Sequence, residues 1–197
     1  MYTVMDLFCG IGGFSYGFKL ASKFNIVLGV DSWDVALNTF QKNNQGTETE
    51  KERIEFIDDS FWTMYTNRVD VILAGPPCQG FSMSGKRDIS DKRNNLVTEL
   101  IRVVSLVKPK IVVVENVVGL LSMKTPRGKY VKEEIKNMFN KIGYKVDYKI
   151  LTASDYGAPQ QRKRVIFIAS QMDNIRFPEP THGEGLEKVI TVGDAIR

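Results

Sequence analysis

From its first residues the chain alternates short β-branched apolar runs with amphipathic stretches, and this pattern more than any other limits what it can fold into. Thr3–Leu7, Ile26–Val30, Ile54–Ile57, Val69–Ala74 and Ile111–Glu115 read as strands. Phe14–Phe24, Trp33–Lys42 and Leu96–Val107 lie between them with apolar residues at helical spacing. In the last of these, Leu96, Leu100, Val103, Val104 and Val107 form one buried face. Alternation of this kind predicts an α/β fold whose mostly parallel sheet is covered on both sides. After a further helix near Tyr130–Ile142 the pattern changes. Tyr144–Leu151 and Val165–Ser170 are strands with no helix between them, which predicts an antiparallel pair at the C-terminal edge. The polar stretch Gln45–Arg53 reads as an exposed loop, and the sequence from Met172 onward as loop with an apolar patch at Val189–Ile196.

At 197 residues the chain suits one domain with a sizeable core. Its two cysteines, Cys9 and Cys78, are too few for a disulfide framework and fit a reducing compartment. No apolar run approaches membrane-spanning length and the N-terminus lacks the pattern of a signal peptide, so a cytoplasmic protein without membrane contact is expected. The net charge of +4 suits a nucleic-acid partner, and equally an ordinary solvated surface. No metal site is expected.

Three places carry candidate chemistry. First, the opening strand runs into Phe8-Cys9-Gly10-Ile11-Gly12-Gly13 and then a helix, either a turn that lets a ligand approach the backbone or simply a tight turn. The second strand ends at Asp31, about 20 residues further on, where an acid either binds ribose hydroxyls or caps the next helix. Asp58-Asp59 is open to the same pair of readings, an adenine contact or a solvated turn. Second, Gly75-Pro76-Pro77-Cys78-Gln79-Gly80-Phe81-Ser82 follows an apolar strand, at the edge where α/β sheets bind ligands. A cysteine in a stiff, polar Gly/Pro turn suits a nucleophile better than inert packing. Third, Glu115-Asn116 closes another apolar strand, and Gln160-Gln161-Arg162-Lys163-Arg164 is a dense cluster of donors. Glu115 is either a working acid or a structural ion pair, and the basic cluster either a phosphate and base contact or a solvated turn. Together they suit one reaction. A thiolate adding to carbon 6 of cytosine makes carbon 5 nucleophilic, and an acid protonating ring nitrogen 3 stabilises the adduct.

FCGIGGFSYGF, GPPCQGFS, ENVVGL and YGAPQQRKR resemble motifs I, IV, VI and VIII of the DNA cytosine-5 methyltransferases, in family order, and DKRNNLVTELIRVVSLVKP resembles the motif V region. The resemblance implies a Rossmann-like S-adenosylmethionine-dependent methyltransferase fold acting on a flipped-out cytosine in double-stranded DNA. It makes Cys78 the nucleophile and Glu115 the proton donor, with Arg162 and Arg164 as catalytic arginines. The implied cofactor contacts are Phe8, Gly10, Gly12, Asp31, Asp59, Pro77 and Leu96, joined by Gly13 and Trp33. The implied nucleic-acid contacts are Gln79, Ser82, Asn116, Gln160 and Arg162.

The chain departs from the family in having Asp31 where Glu is usual, Ser32-Trp33 after it, and Ser60 after Asp59. Residues 1–171 correspond to the catalytic domain and 172–197 to a linker towards a target-recognition region. That region and motifs IX and X have no counterpart here, so a second polypeptide carrying them, or a truncated enzyme, is expected. A restriction-modification system is one setting the resemblance implies, with a phage and a stand-alone methylase left open beside it. Two other readings are a catalytically silent cofactor- or nucleic-acid-binding module and a tRNA cytosine-5 methyltransferase. Cys78, Glu115 and both arginines argue against the first, and Gly80-Phe81-Ser82 in place of Pro-Phe-Thr against the second.

Overall fold

The computed structural model describes residues 1–77, 96–125, 128–172 and 174–196. Its strands are β1 (Tyr2–Leu7), β2 (Phe24–Val30), β3 (Glu48–Glu50), β4 (Val71–Ala74), β5 (Ile111–Val117), β6 (Lys145–Thr152) and β7 (Lys163–Ser170). The helices are α1 (Gly13–Leu20), α2 (Asp34–Asn43), α3 (Asp59–Thr63), α4 (Leu96–Val107), α5 (Val131–Lys141) and α6 (Val192–Ala195). The strands form one seven-stranded sheet in the order β3-β2-β1-β4-β5-β7-β6. The first five pair in parallel, and β7 runs antiparallel between β5 and β6. This is the Rossmann-like arrangement with an antiparallel C-terminal pair that the sequence pattern called for.

Strand β4 is buried along its whole length, as a central parallel strand covered on both faces must be. The core lies in two layers because successive side chains leave a strand on opposite sides. On one side Met5, Leu7, Ile72, Val112 and Phe167 pack with Trp62, Leu100, Val104 and Phe139. On the other, Val4, Ile26 and Leu73 pack with Leu37 and Phe40. The Phe40 ring lies so close to Gly29 that a β-carbon there would overlap it, which fixes α2 against β2. Ile166 and Ile168 of β7 are half-buried and belong to neither layer.

The third strand is not where apolar periodicity puts it. Ile54–Ile57 does not form a strand: Ile54–Phe56 is a 3₁₀ turn, and Ile54 and Ile57 are buried in the core against α4. The strand is Glu48–Glu50, inside the stretch expected to be loop. A three-residue edge strand needs only backbone pairing, here with Leu28–Val30, so its side chains stay polar. Two of them bond locally: Tyr65 Oη donates to Glu48 at 2.8 Å and Gln41 Nε2 to Thr49 at 2.5 Å. The segment after β7 folds back on the β6–β7 connection. Thr181 and His182 backbone N–H groups both donate to the Asp155 carbonyl, at 2.9 and 3.0 Å.

Candidate active site

The chain leaves β1 towards β2 and β3 on one side, then crosses to β4 and β5 on the other. The crevice between the carboxyl ends of β1 and β4 is therefore the switch point, where sheets of this kind bind ligands. Pairing register sets Val30, Leu7, Ala74 and Val114 in one row across four strands. The next residue on each is Asp31, Phe8, Gly75 and Glu115, so four residues far apart in sequence emerge side by side.

A cavity of about 600 Å³ opens on this row. Its walls include Phe8, Asp31, Trp33, Pro77 and Leu96, five of the expected cofactor contacts, together with Leu7, Val30, Ser32 and Gly75. Asp31 also ties two loops together: its carboxylate accepts from the backbone N–H of Gly10 and of Trp33, each at 2.8 Å. The loop it holds is unusual in backbone, with Phe8 at φ 59° followed by Gly10 at 53° and Gly12 at 88°. Left-handed φ is uncommon for a phenylalanine and marks a constrained turn. A β-carbon at Gly12 would press on Phe40 and Asn44, so that turn also needs the bare backbone. Trp33 is 64% exposed, leaving an indole face open at the cavity wall.

A second cavity, about 390 Å³, shares Phe8 and Gly75 with the first. It is lined by Asp6, Cys9, Gly13, Phe14, Glu115 and Arg162. Glu115 lies between two arginines, with Arg164 Nε 2.8 Å and Arg162 Nη2 3.8 Å from the same carboxylate oxygen. The antiparallel β5–β7 register, with Val117 opposite Arg164, makes that convergence possible. Asn116 is buried and its Oδ1 accepts from Val117 N–H at 2.8 Å, whereas Gln160 is exposed in the turn before β7. Asp59 opens α3 with its carboxylate paired to Arg102. Cys78, Gln79 and Ser82 lie outside the described residues.

Three features of the site escaped sequence reasoning. The first cavity is walled on one side by Glu52, Arg53, Ile54 and Glu55, which pattern reading assigns to a loop and a strand. Arg102 of α4 pins that wall, donating to the Ile54 carbonyl at 2.8 Å and pairing with Glu99 at 2.7 Å. Its helical spacing shows only a polar position beside a buried face. The third is Asp6, a buried carboxyl on β1 that accepts a short hydrogen bond from Ser15 of α1. Burial pushes its pKa up to about 7 against that bond, and the nearby Asp31 adds to the rise. Burial, then Asp6 and Asp31, push the Cys9 thiol well above its ordinary range, so it stays protonated.

The strand order and the crevice at its switch point define a Rossmann-like α/β class. The model of the C-5 cytosine-specific DNA methylase family matches residues 2–192, and the chain belongs to that family. It is 45% identical to the type II methyltransferase M.DdeI of Desulfomicrobium norvegicum, over 87% of this chain and 41% of that protein. It is 41% identical to M1.HphI of Haemophilus parahaemolyticus, over 98% of this chain and 52% of that protein. The chain thus spans about half the length of the curated relatives it matches. Among solved structures, a prophage-encoded Escherichia coli protein described as a DNA modification methyltransferase superposes with a TM-score of 0.76 at 28% identity, over 100% of this chain and 54% of that one. A Spodoptera frugiperda DNMT2, at 24% identity, shares the fold with a TM-score of 0.72, over 96% of this chain and 57% of that one.

Proposed function

We propose that this chain transfers a methyl group from S-adenosylmethionine to carbon 5 of cytosine in double-stranded DNA. The observation that carries the reading is the pair of adjoining cavities sharing Phe8 and Gly75, one suited to a nucleoside cofactor and the other lined by Glu115 and Arg162. The first has a volume in the usual range for small-molecule sites, with an acid at Asp31, an open indole at Trp33 and apolar walls at Phe8, Pro77 and Leu96. Those residues suit the ribose, the adenine and the aliphatic arm of the cofactor, which supplies a methyl group on an electrophilic sulfonium.

The chain's own residues do the rest. The Cys78 thiolate bonds to carbon 6 of the ring while Glu115 gives a proton to nitrogen 3. Carbon 5, now enamine-like, takes the methyl group. Nitrogen 3 returns its proton to Glu115, the carbon 5 proton passes to a base, the Cys78–carbon 6 bond breaks to release the thiolate, and the ring double bond returns. Arg164 orients the Glu115 carboxyl, and Arg162 faces the ring from the second cavity. The target base must leave the helix to reach this recess. Residues 1–171 are the catalytic domain, and 172–197 lead from it. Choice of target sequence falls to a recognition region with motifs IX and X, outside the roughly half of the curated relatives' length that this chain matches. Among the described residues, the half-buried Ile166 and Ile168 fall in neither core layer and offer that region a sheet face.

The test is transfer of radiolabelled methyl from S-adenosylmethionine to unmethylated bacterial DNA. Transfer is expected for the chain together with the recognition region, to vanish in Cys78→Ser and to persist in Cys9→Ala, whose thiol is buried and protonated. Appreciable turnover by Cys78→Ser would remove the nucleophile assignment. Cofactor binding without transfer even with that region present would leave the silent binding module as the better reading.

A further inference from the structure

Beyond the two cavities, one surface combines charge and aromatic rings in a continuous run. Lys124 Nζ lies 5.1 Å from the Tyr130 ring centroid, and Lys132 lies 5.3 Å from the same ring. Lys132 also lies 5.8 Å from Tyr148, and Lys136 reaches that ring at 5.6 Å. Each separation is within cation–π range, so the ammonium groups rest over the ring faces and bind lysines and tyrosines into one cluster. Lys132 and Lys136 are one helical turn apart on α5, and Tyr148 stands on the neighbouring strand β6.

Among the described residues, no ion pair holds Lys124, Lys132 or Lys136, whereas nearby Lys129 has Glu134 at 3.6 Å. Asp147 is adjacent to Tyr148 on β6, so alternation turns it to the opposite sheet face. With Glu134 taken up by Lys129, Glu133 is the one acid of α5 left beside Lys132 and Lys136, so the lysines of the patch outnumber its acids. The patch also lies beside the site. Tyr148 pairs with Phe167, which pairs with Val114, the residue before Glu115. Two strand spacings, about 10 Å, separate them across the sheet. Lys124 follows the 3₁₀ turn Val118–Ser122 that leads straight from β5.

We propose that the Lys124–Tyr130–Lys132–Tyr148–Lys136 face is a sequence-independent contact for the phosphate backbone of duplex DNA flanking the target base. Double-stranded DNA carries a phosphate charge about every 1.7 Å of its axis, so a duplex whose base enters the second cavity brings several phosphates within reach of a patch this close. The surface rests on the DNA partner in the proposed function, but not on the methyl-transfer chemistry.

The experiment is binding of the full chain to a fluorescent duplex of thirty base pairs, by anisotropy, over a range of salt concentrations. The triple variant K124Q/K132Q/K136Q is compared with K23Q/K108Q/K141Q, which removes three exposed lysines from the opposite, amino-terminal edge of the sheet. The first triple is expected to lower the slope of log affinity against log salt by about 2 to 3, and to weaken binding about tenfold or more at 0.1 M salt on every duplex sequence. The control triple should leave the slope within about one of the wild-type value. Equal slopes for wild type and the first triple would overturn the surface while leaving the DNA partner standing. So would an equal loss in both triples, since net charge alone would then explain it. No duplex binding by the wild-type chain would overturn both, and tighter binding to single-stranded RNA with the same lysine dependence would overturn the duplex assignment. Unchanged near-UV circular dichroism of both triples separates these outcomes from misfolding.

Discussion

At the scale of single residues, the site is made of groups with two duties. Asp31 spends hydrogen-bonding capacity on Gly10 and Trp33 and still faces the first cavity, so it shapes the glycine turn that it sits beside. Glu115 is both ion-paired and cavity-lining, so its pairing with Arg164 does not take it out of the second cavity. Asp6 has a consequence for stability. Its pKa near 7 in the fold lies above the ordinary carboxylate value, so unfolding releases a proton between about pH 4 and pH 7. Its contribution to stability is complete below about pH 4 and is lost as pH rises towards 7, by up to about 1.4 kcal/mol per pH unit. Asp6→Asn should remove that slope. In urea melts at pH 5 and pH 8, the variant is expected to gain on the wild type at the higher pH; a gap that is constant or moves the other way would refute the assignment.

At the scale of elements, packing and one arginine hold the first cavity together. Phe40 of α2 lies against Gly29 of β2, leaving no room for a methyl group. Gly29→Ala is expected to cost about 1–3 kcal/mol by overpacking, read as a lowered urea midpoint with unchanged m-value. Arg102 reaches from α4 to the Ile54 carbonyl and to Asp59, so it fixes the wall formed by Glu52–Glu55. Arg102→Met should raise the KM for S-adenosylmethionine about fivefold or more while kcat stays within about twofold, because the loss is in binding rather than in the reacting groups. An equal fall in kcat would place Arg102 in the chemistry instead.

At the scale of the whole molecule, the two sheet faces differ. Phe167 is fully enclosed in the core beneath α5, while its neighbours Ile166 and Ile168 point the other way and remain half-exposed. Phe167→Ala should therefore cost about 3–5 kcal/mol in the isolated chain. Ile166→Ser and Ile168→Ser should each cost less than about 1 kcal/mol, as changes on a partly solvated face do. If the isoleucine variants were as damaging as Phe167→Ala, that face would be buried within the chain and not partly solvated.

Alternating apolar runs determined the parallel sheet, and the residue types in PPCQ, ENV and QQRKR determined the candidate chemistry, because both depend on local pattern. The strand end before Asp31 could be read for the same reason, whereas β5 runs two residues past the expected end at Glu115, to Val117, because β7 pairs with it there. The third strand could not: Glu48–Glu50 is held by backbone pairing with β2, and backbone pairing leaves no mark on side-chain hydrophobicity. Ile54 and Ile57 are apolar for their contact with α4, a partner more than forty residues away that periodicity does not identify. Only the folded register brought Arg162 and Arg164 to Glu115, and only packing turned Arg102 to the cavity wall and enclosed Asp6. The sequence by itself determined which groups are available. The tertiary structure decided which of them meet, because distances between chain segments are set by the closing of the sheet and its two core layers.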